Sequence, residues 1–175
     1  MKRLFLFIAI LVLIVTFAYL TPAARPTEAA GAGFRVAGMQ MSCTDFRGRS
    51  VLALQVSDLG GVGRAWVINT VPYILLDPEV LRTLPRPLQI FFYVHECAHH
   101  KLGHWYNPTG NSEKEADCWA IEYGRDHGIF RRQTVVDFEP WLAKSRGSAF
   151  GHLPGRKRVR HLLACFDGPV ETAQQ

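Results

Sequence analysis

At 175 residues, 48% apolar and 20% charged, the chain has room for one domain and enough apolar side chains to give it a core. No long stretch has the composition of a disordered segment, no internal repeat is present, and beyond residue 20 no apolar run is long enough to span a bilayer. The net charge of +5 comes partly from Arg131-Arg132 and from the run Arg156 to Arg160, which read as solvated basic faces; no nucleic-acid motif accompanies them, so nucleic acid is not an expected partner.

Met1-Lys2-Arg3 is followed by an unbroken apolar run from Leu4 to Leu20. Its length falls between the roughly 7–15 residues of a secretory signal core and the about 20 of a spanning helix. Residues 1–24 therefore read as a signal peptide or an N-terminal membrane anchor. The Lys2-Arg3 pair stays inside, so either reading exports the rest of the chain to a periplasmic or other extracytoplasmic side. Membrane contact then runs through residues 4–20 if they are retained. Residues 25–33 are a Pro, Ala and Gly linker, and the domain is expected over 34–170.

Within that domain, Arg49 to Ser57 has the composition of a strand, Gly60 to Gly63 that of a turn, and Ala65 to Asn69 and Tyr73 to Leu76 are short β-type runs. Asp77-Pro78-Glu79 is a helix start, with Asp at the cap and Pro at the first helical position. From Leu88, apolar residues and histidines recur at helical spacing through Leu102, and Gly103 is the natural stop. A second helix is expected from Asn111 or Ser112 to about His127, opened by a capping box of Ser112 and Glu115. A third is expected over Phe138 to Ser145 and a last over Gly155 to Phe166. Strands first and helices after is an α+β order.

The chemistry is concentrated in two of those helices. Residues 95–99 read His-Glu-Cys-Ala-His. Helical positions four apart differ by about 40° around the axis, so His95 and His99 share a face and can share a metal. Glu96 lies about 100° round, where its carboxylate can take a proton from a water on the metal's open side. Catalytic zinc takes three protein ligands, and Glu113-Lys114-Glu115-Ala116-Asp117 offers the third. Glu113 and Asp117 share a face, so one can bind the metal while the other accepts a hydrogen bond from a ligand histidine. Glu115 points elsewhere and serves the helix cap. His100 and His104, at about 140° and 180° from His95 on a continuous helix, read as structural or surface groups.

Four cysteines in an exported chain invite disulfides, and four allow three pairings. Cys97 and Cys118 lie in the two segments a metal would draw together, while Cys43 and Cys165 lie near the two ends of the domain. The expected bonds are therefore Cys97–Cys118 and Cys43–Cys165.

The pattern from His95 to His99, followed by Glu113-x-x-Ala116-Asp117, resembles the gluzincin metallopeptidases. Glu-x-x-Ala-Asp-x-x-Ala, from Glu113 to Ala120, looks most like the Ste24/HtpX-type peptidase family in a minimal exported form. The resemblance implies a zincin-like α+β fold: a small N-terminal sheet, an active-site helix, a glutamate-bearing second helix and C-terminal helices. It implies one zinc ion on His95, His99 and Glu113, Glu96 as general base, and Asp117 behind His95. A later family segment is matched by His152-Leu153-Pro154 and Arg158-Val159-x-x-Leu162, with the histidine displaced by one residue. It implies His152 at the oxyanion and Arg158 in support of the site. The expected function is a zinc-dependent endopeptidase acting on exported or misfolded polypeptides. The alternative is a non-catalytic, zinc-stabilised envelope binding or adaptor domain. Oligomeric state is left open.

Overall fold

The computed structural model describes residues 34–148 and 151–168. The expected leader (1–24) and linker (25–33) lie outside the described residues, as do positions 149, 150, 169 and 170 of the expected domain. Gly33–Gln175 forms a compact unit of its own. Among the described residues no helix is long and apolar enough to cross a membrane.

The unit opens with a hairpin of β1 (Phe34–Val36) and β2 (Met39–Met41), with Phe34 opposite Met41. A three-stranded sheet follows: β3 (Leu52–Gln55), β4 (Gly63–Ile68) and β5 (Val71–Leu76), in the order β3-β5-β4. The sheet is mixed, β3 lying parallel and β4 antiparallel to β5. Asn69 and Thr70 close the β4–β5 hairpin with φ of 48° and 68°, the paired positive values that match the twist of the strands they join. A proline in a central strand is unusual, but β3 pairs with β5 only from Tyr73 onward, so Pro72 denies no bond to that neighbour.

Asp77 caps α1 (Pro78–Arg82), its Oδ1 accepting from the backbone N–H groups of Glu79 and Val80 at 3.0 and 3.2 Å. The long helices are α2 (Arg86–Lys101), α3 (Ser112–Asp126) and α6 (Gly155–Asp167), with α4 (Arg132–Val136) and α5 (Glu139–Leu142) between the last two. The expected helix over Phe138 to Ser145 is thus only α5, with Pro140 in its first turn, and α4 precedes it without a clear periodic signal. The β-then-α order makes the unit α+β. The apolar stripe of α2 (Leu88, Phe91, Val94, Ala98) is fully or almost fully buried, with Ile74 and Leu76 of the sheet in the same core.

Two expectations fail here. The capping box does not form: Asn111 precedes the helix without a side-chain bond, and Ser112 Oγ instead accepts from the Thr109 N–H at 2.8 Å. The disulfides are Cys43–Cys97 and Cys118–Cys165, not Cys97–Cys118 and Cys43–Cys165. His95 faces α3, and Cys97, two residues on, is about 200° round the helix. Cys97 therefore points toward the segment after β2, where Cys43 waits. Cys118 sits about 100° from Asp117 and ties α3 to α6. Two disulfides suit an oxidising, extracytoplasmic compartment.

Replacing Cys43 and Cys97 together by alanine should lower the unfolding free energy by about 2–4 kcal/mol. Denaturant melts measure the loss, and non-reducing peptide mapping should return the Cys43–Cys97 and Cys118–Cys165 peptides as linked pairs.

Candidate metal centre

His95 and His99 stand one turn apart on the face of α2 that meets α3. His95 Nε2 is 3.3 Å from His99 Nε2 and 3.2 Å from Glu113 Oε2, and His99 Nε2 is 3.5 Å from that same oxygen. Zinc bonds of about 2.0–2.1 Å set tetrahedral ligands about 3.3–3.4 Å apart. The three donors already have the edge lengths of one face of such a tetrahedron, and two imidazoles with a carboxylate are a donor set that zinc accepts. The metal fits these residues.

Each histidine is backed through its other nitrogen, as metal-ligating imidazoles usually are. His95 Nδ1 lies 2.9 Å from Asp117 Oδ1, off the line of an ideal hydrogen bond, so the pair is held by charge as much as by direction. Asp117 in turn receives both arms of the buried Arg158 guanidinium, Nε on Oδ2 at 2.9 Å and Nη2 on Oδ1 at 2.6 Å. Arg158 is only 4% accessible, so it leaves the solvated face expected of its run. Burial opposes the charge of His95, but Asp117 and Glu113 outweigh it and hold its pKa up at about 9. Burial also opposes the ionised carboxylates. Hydrogen bonds from His152, His95 and His99 nevertheless hold Glu113 well below the usual range, and the charge of Arg158 with the bond from His95 does the same for Asp117.

His99 is backed by residues that sequence reasoning set aside. His99 Nδ1 is 3.1 Å from His104 Nδ1, and His104 Nε2 is 3.0 Å from Glu115 Oε2. Protons assigned to His99 Nδ1 and His104 Nε2 run one way along this chain and leave His99 Nε2 free for a metal. The expectation that His104 points away assumed a continuous helix. α2 ends at Lys101, and Gly103, at φ +71°, turns the chain so that His104 folds back onto its neighbour. The available signal was Gly103 itself, since a residue beyond the stop no longer obeys helical angles. His100 is structural, its Nε2 lying 2.8 Å from the Tyr73 carbonyl oxygen and tying α2 to β5.

Glu96 leaves the metal-facing side toward β4, where its Oε2 accepts from the Ala65 N–H at 2.6 Å. A Cβ on Gly63 would lie 2.9 Å from Leu76 Cδ2 and 3.1 Å from Glu96 Cγ, so a side chain there would push against the leucine and this carboxylate. His152, in the loop before α6, reaches the centre from the other side, with Nε2 2.7 Å from Glu113 Oε2 and its ring 5.6 Å from that of His95. The one-residue displacement in the sequence has not kept it from the site. Cys118, His161 and Cys165 form a second group of ligand-type residues. Its sulfurs are bonded to each other, and His161 Nε2 is engaged with the Lys114 carbonyl oxygen at 3.0 Å.

No family model, curated protein or solved structure gives a significant match to this chain.

Arg158→Met should cost about 3–5 kcal/mol, because it leaves the Asp117 carboxylate buried with one charged partner fewer. Arg158→Lys should recover only part of this, since an ammonium cannot supply the two-armed contact. Thermal and denaturant unfolding of the metal-free protein measures both.

Proposed function

We propose that the chain is a zinc-dependent endopeptidase of the gluzincin kind, built on a zincin-like fold and acting on exported or misfolded polypeptides. The observation that carries this reading is the face of three donors, His95, His99 and Glu113, with a second carboxylate, Glu96, next to His95 in the chain but turned to the sheet rather than joining them. A purely structural zinc site closes its fourth position with another ligand and has no use for a base.

When bound, the zinc supplies Lewis acidity, polarising the scissile carbonyl and acidifying water. Glu96 removes a proton from the attacking water as its oxygen adds to the carbonyl carbon. It returns the proton to the amide nitrogen as the C–N bond breaks. Its carboxylate is held at the sheet by Ala65, so the base and the strand that receives substrate are linked. β4 is an edge strand, and an extended peptide can add to it by main-chain hydrogen bonds. In this reading His152, whose Nε2 now meets Glu113 Oε2 at 2.7 Å, turns from that oxygen once zinc takes it and donates to the carbonyl oxygen as it gains charge. Arg158 acts through Asp117, fixing the ring of His95 rather than touching substrate.

Metal uptake must displace the proton that His95 carries in the metal-free protein. With that pKa at about 9, binding at pH 7 should release protons, and affinity should rise with pH until about 9 and then level off. Zinc titration calorimetry in buffers of different ionisation enthalpy counts the protons released.

The test of function compares the chain with its Glu96→Gln variant, both loaded with zinc, on an unfolded protein substrate. Both should bind one zinc, while the variant loses turnover by about 10²–10⁴-fold. Equal zinc content with cleavage by neither would overturn the peptidase reading in favour of a zinc-stabilised envelope adaptor.

A further inference from the structure

Near the turn that ends α2, the hairpin end of β4 and the loop 44–50 converge, and large apolar side chains stand open there. Phe46, Trp66, Ile68, Leu102, Trp105 and Tyr106 are each 38–47% exposed, far more than ordinary packing leaves side chains of this size. Contacts join them in two groups. The Trp66 and Trp105 rings are 4.9 Å apart, and Phe46 packs edge-on against Tyr106 at 5.5 Å. The chain link from Trp105 to Tyr106 connects the two.

The charges on this surface are of one sign. The Arg47 guanidinium lies 4.7 Å from the ring centres of both Phe46 and Tyr106, and that of Arg64 lies 5.6 Å from Trp66. Arg49 donates to the Tyr106 hydroxyl at 3.2 Å. The nearby acids are committed elsewhere: Asp45 is buried and paired with Arg49, and Glu115 is bonded to His104. A guanidinium stacked on a ring keeps its N–H edges free for phosphate oxygens. Tryptophan and tyrosine bodies with arginines beside them are the side chains favoured where a bilayer's hydrocarbon meets its headgroups.

We propose that this aromatic and arginine surface docks the domain onto an anionic phospholipid bilayer. The sequence gives the contact a short reach: 13 residues separate the apolar run Leu4–Leu20 from Phe34. A retained anchor would keep the domain within about 45 Å of the membrane, which raises the local concentration of lipid at this surface while leaving the choice of headgroup to the surface itself. Docking would bring Trp105 to the lipid, and with it the adjacent His104 that supports the metal centre. The inference stands apart from the peptidase reading, since neither lipid contact nor the quenching that reads it requires hydrolysis.

The experiment uses the full chain in vesicles whose acyl chains carry bromine near the headgroups, and reads tryptophan quenching. The four tryptophans are Trp66, Trp105, Trp119 and Trp141, and residues 1–33 contain none, so the leader adds no signal. Quenching should be at least twofold stronger in vesicles of phosphatidylglycerol and phosphatidylcholine than in phosphatidylcholine alone. Arg47→Glu with Arg64→Glu, which keeps every tryptophan, should abolish that difference, and Trp66→Phe with Trp105→Phe should remove most of the quenched signal. Circular dichroism checks that both variants fold. Equal quenching in the two lipids, or quenching that survives in the Trp66→Phe, Trp105→Phe variant, would overturn the proposal. So would an Arg47→Glu, Arg64→Glu variant that leaves quenching intact but raises KM for an unfolded protein or dissolves a dimer. Those results would assign the surface to polypeptide substrate or to a second copy.

Discussion

Asp117 holds three helices to one another. Its carboxylate takes the two-armed guanidinium of Arg158 from α6 on one side and approaches the His95 ring of α2 on the other, while its own backbone belongs to α3. An ionised carboxylate that is 1% accessible is tolerable only with partners of opposite charge or donated hydrogen bonds. The requirement works in both directions. Packing of α6 against α3 brings Arg158 to the carboxylate, and the satisfied carboxylate sets the ring of His95, so the nitrogen that faces His99 and Glu113 is aimed by a helix that adds no residue to that group.

The same economy of elements shapes the other side of the centre. Glu96 is too far round α2 to join the donors, and the sheet gives it a place through the Ala65 N–H and the space above Gly63. His100 ties the helix to the next strand inward, at Tyr73. α2 is therefore gripped by the sheet through polar bonds at Glu96 and His100 and by α3 through the metal-facing histidines. Its apolar stripe fills the core between them. The disulfides brace this arrangement from outside, one joining α2 to the segment after β2 and the other joining α3 to α6. A domain of this size buries a limited core, and covalent closure of its long connections offsets part of the chain entropy that folding removes.

The His104 and Glu115 pair gives His99 what Asp117 and Arg158 give His95, by a different route. One histidine is backed by a carboxylate directly and the other through a second imidazole. Together the two arrangements fix both ring orientations, each with Nε2 turned toward Glu113.

The sequence by itself determined what depends on regular helical geometry. The four-residue spacings of His95 with His99 and of Glu113 with Asp117 placed each pair on one face, and the cap at Asp77 marked the start of α1. The α+β order followed from where β-type runs give way to helical periods. Tertiary structure decided everything that rests on the meeting of separate segments: which cysteines pair, that Arg158 is buried, that His152 reaches Glu113, and that His104 returns to His99. A helix dictates the angles between its own residues. It says nothing of what lies opposite, and once Gly103 adopts its left-handed conformation even the next residue escapes its rule. The disulfides show the difference most directly, because the turn of α2 that aims His95 at α3 is what turns Cys97 away from it.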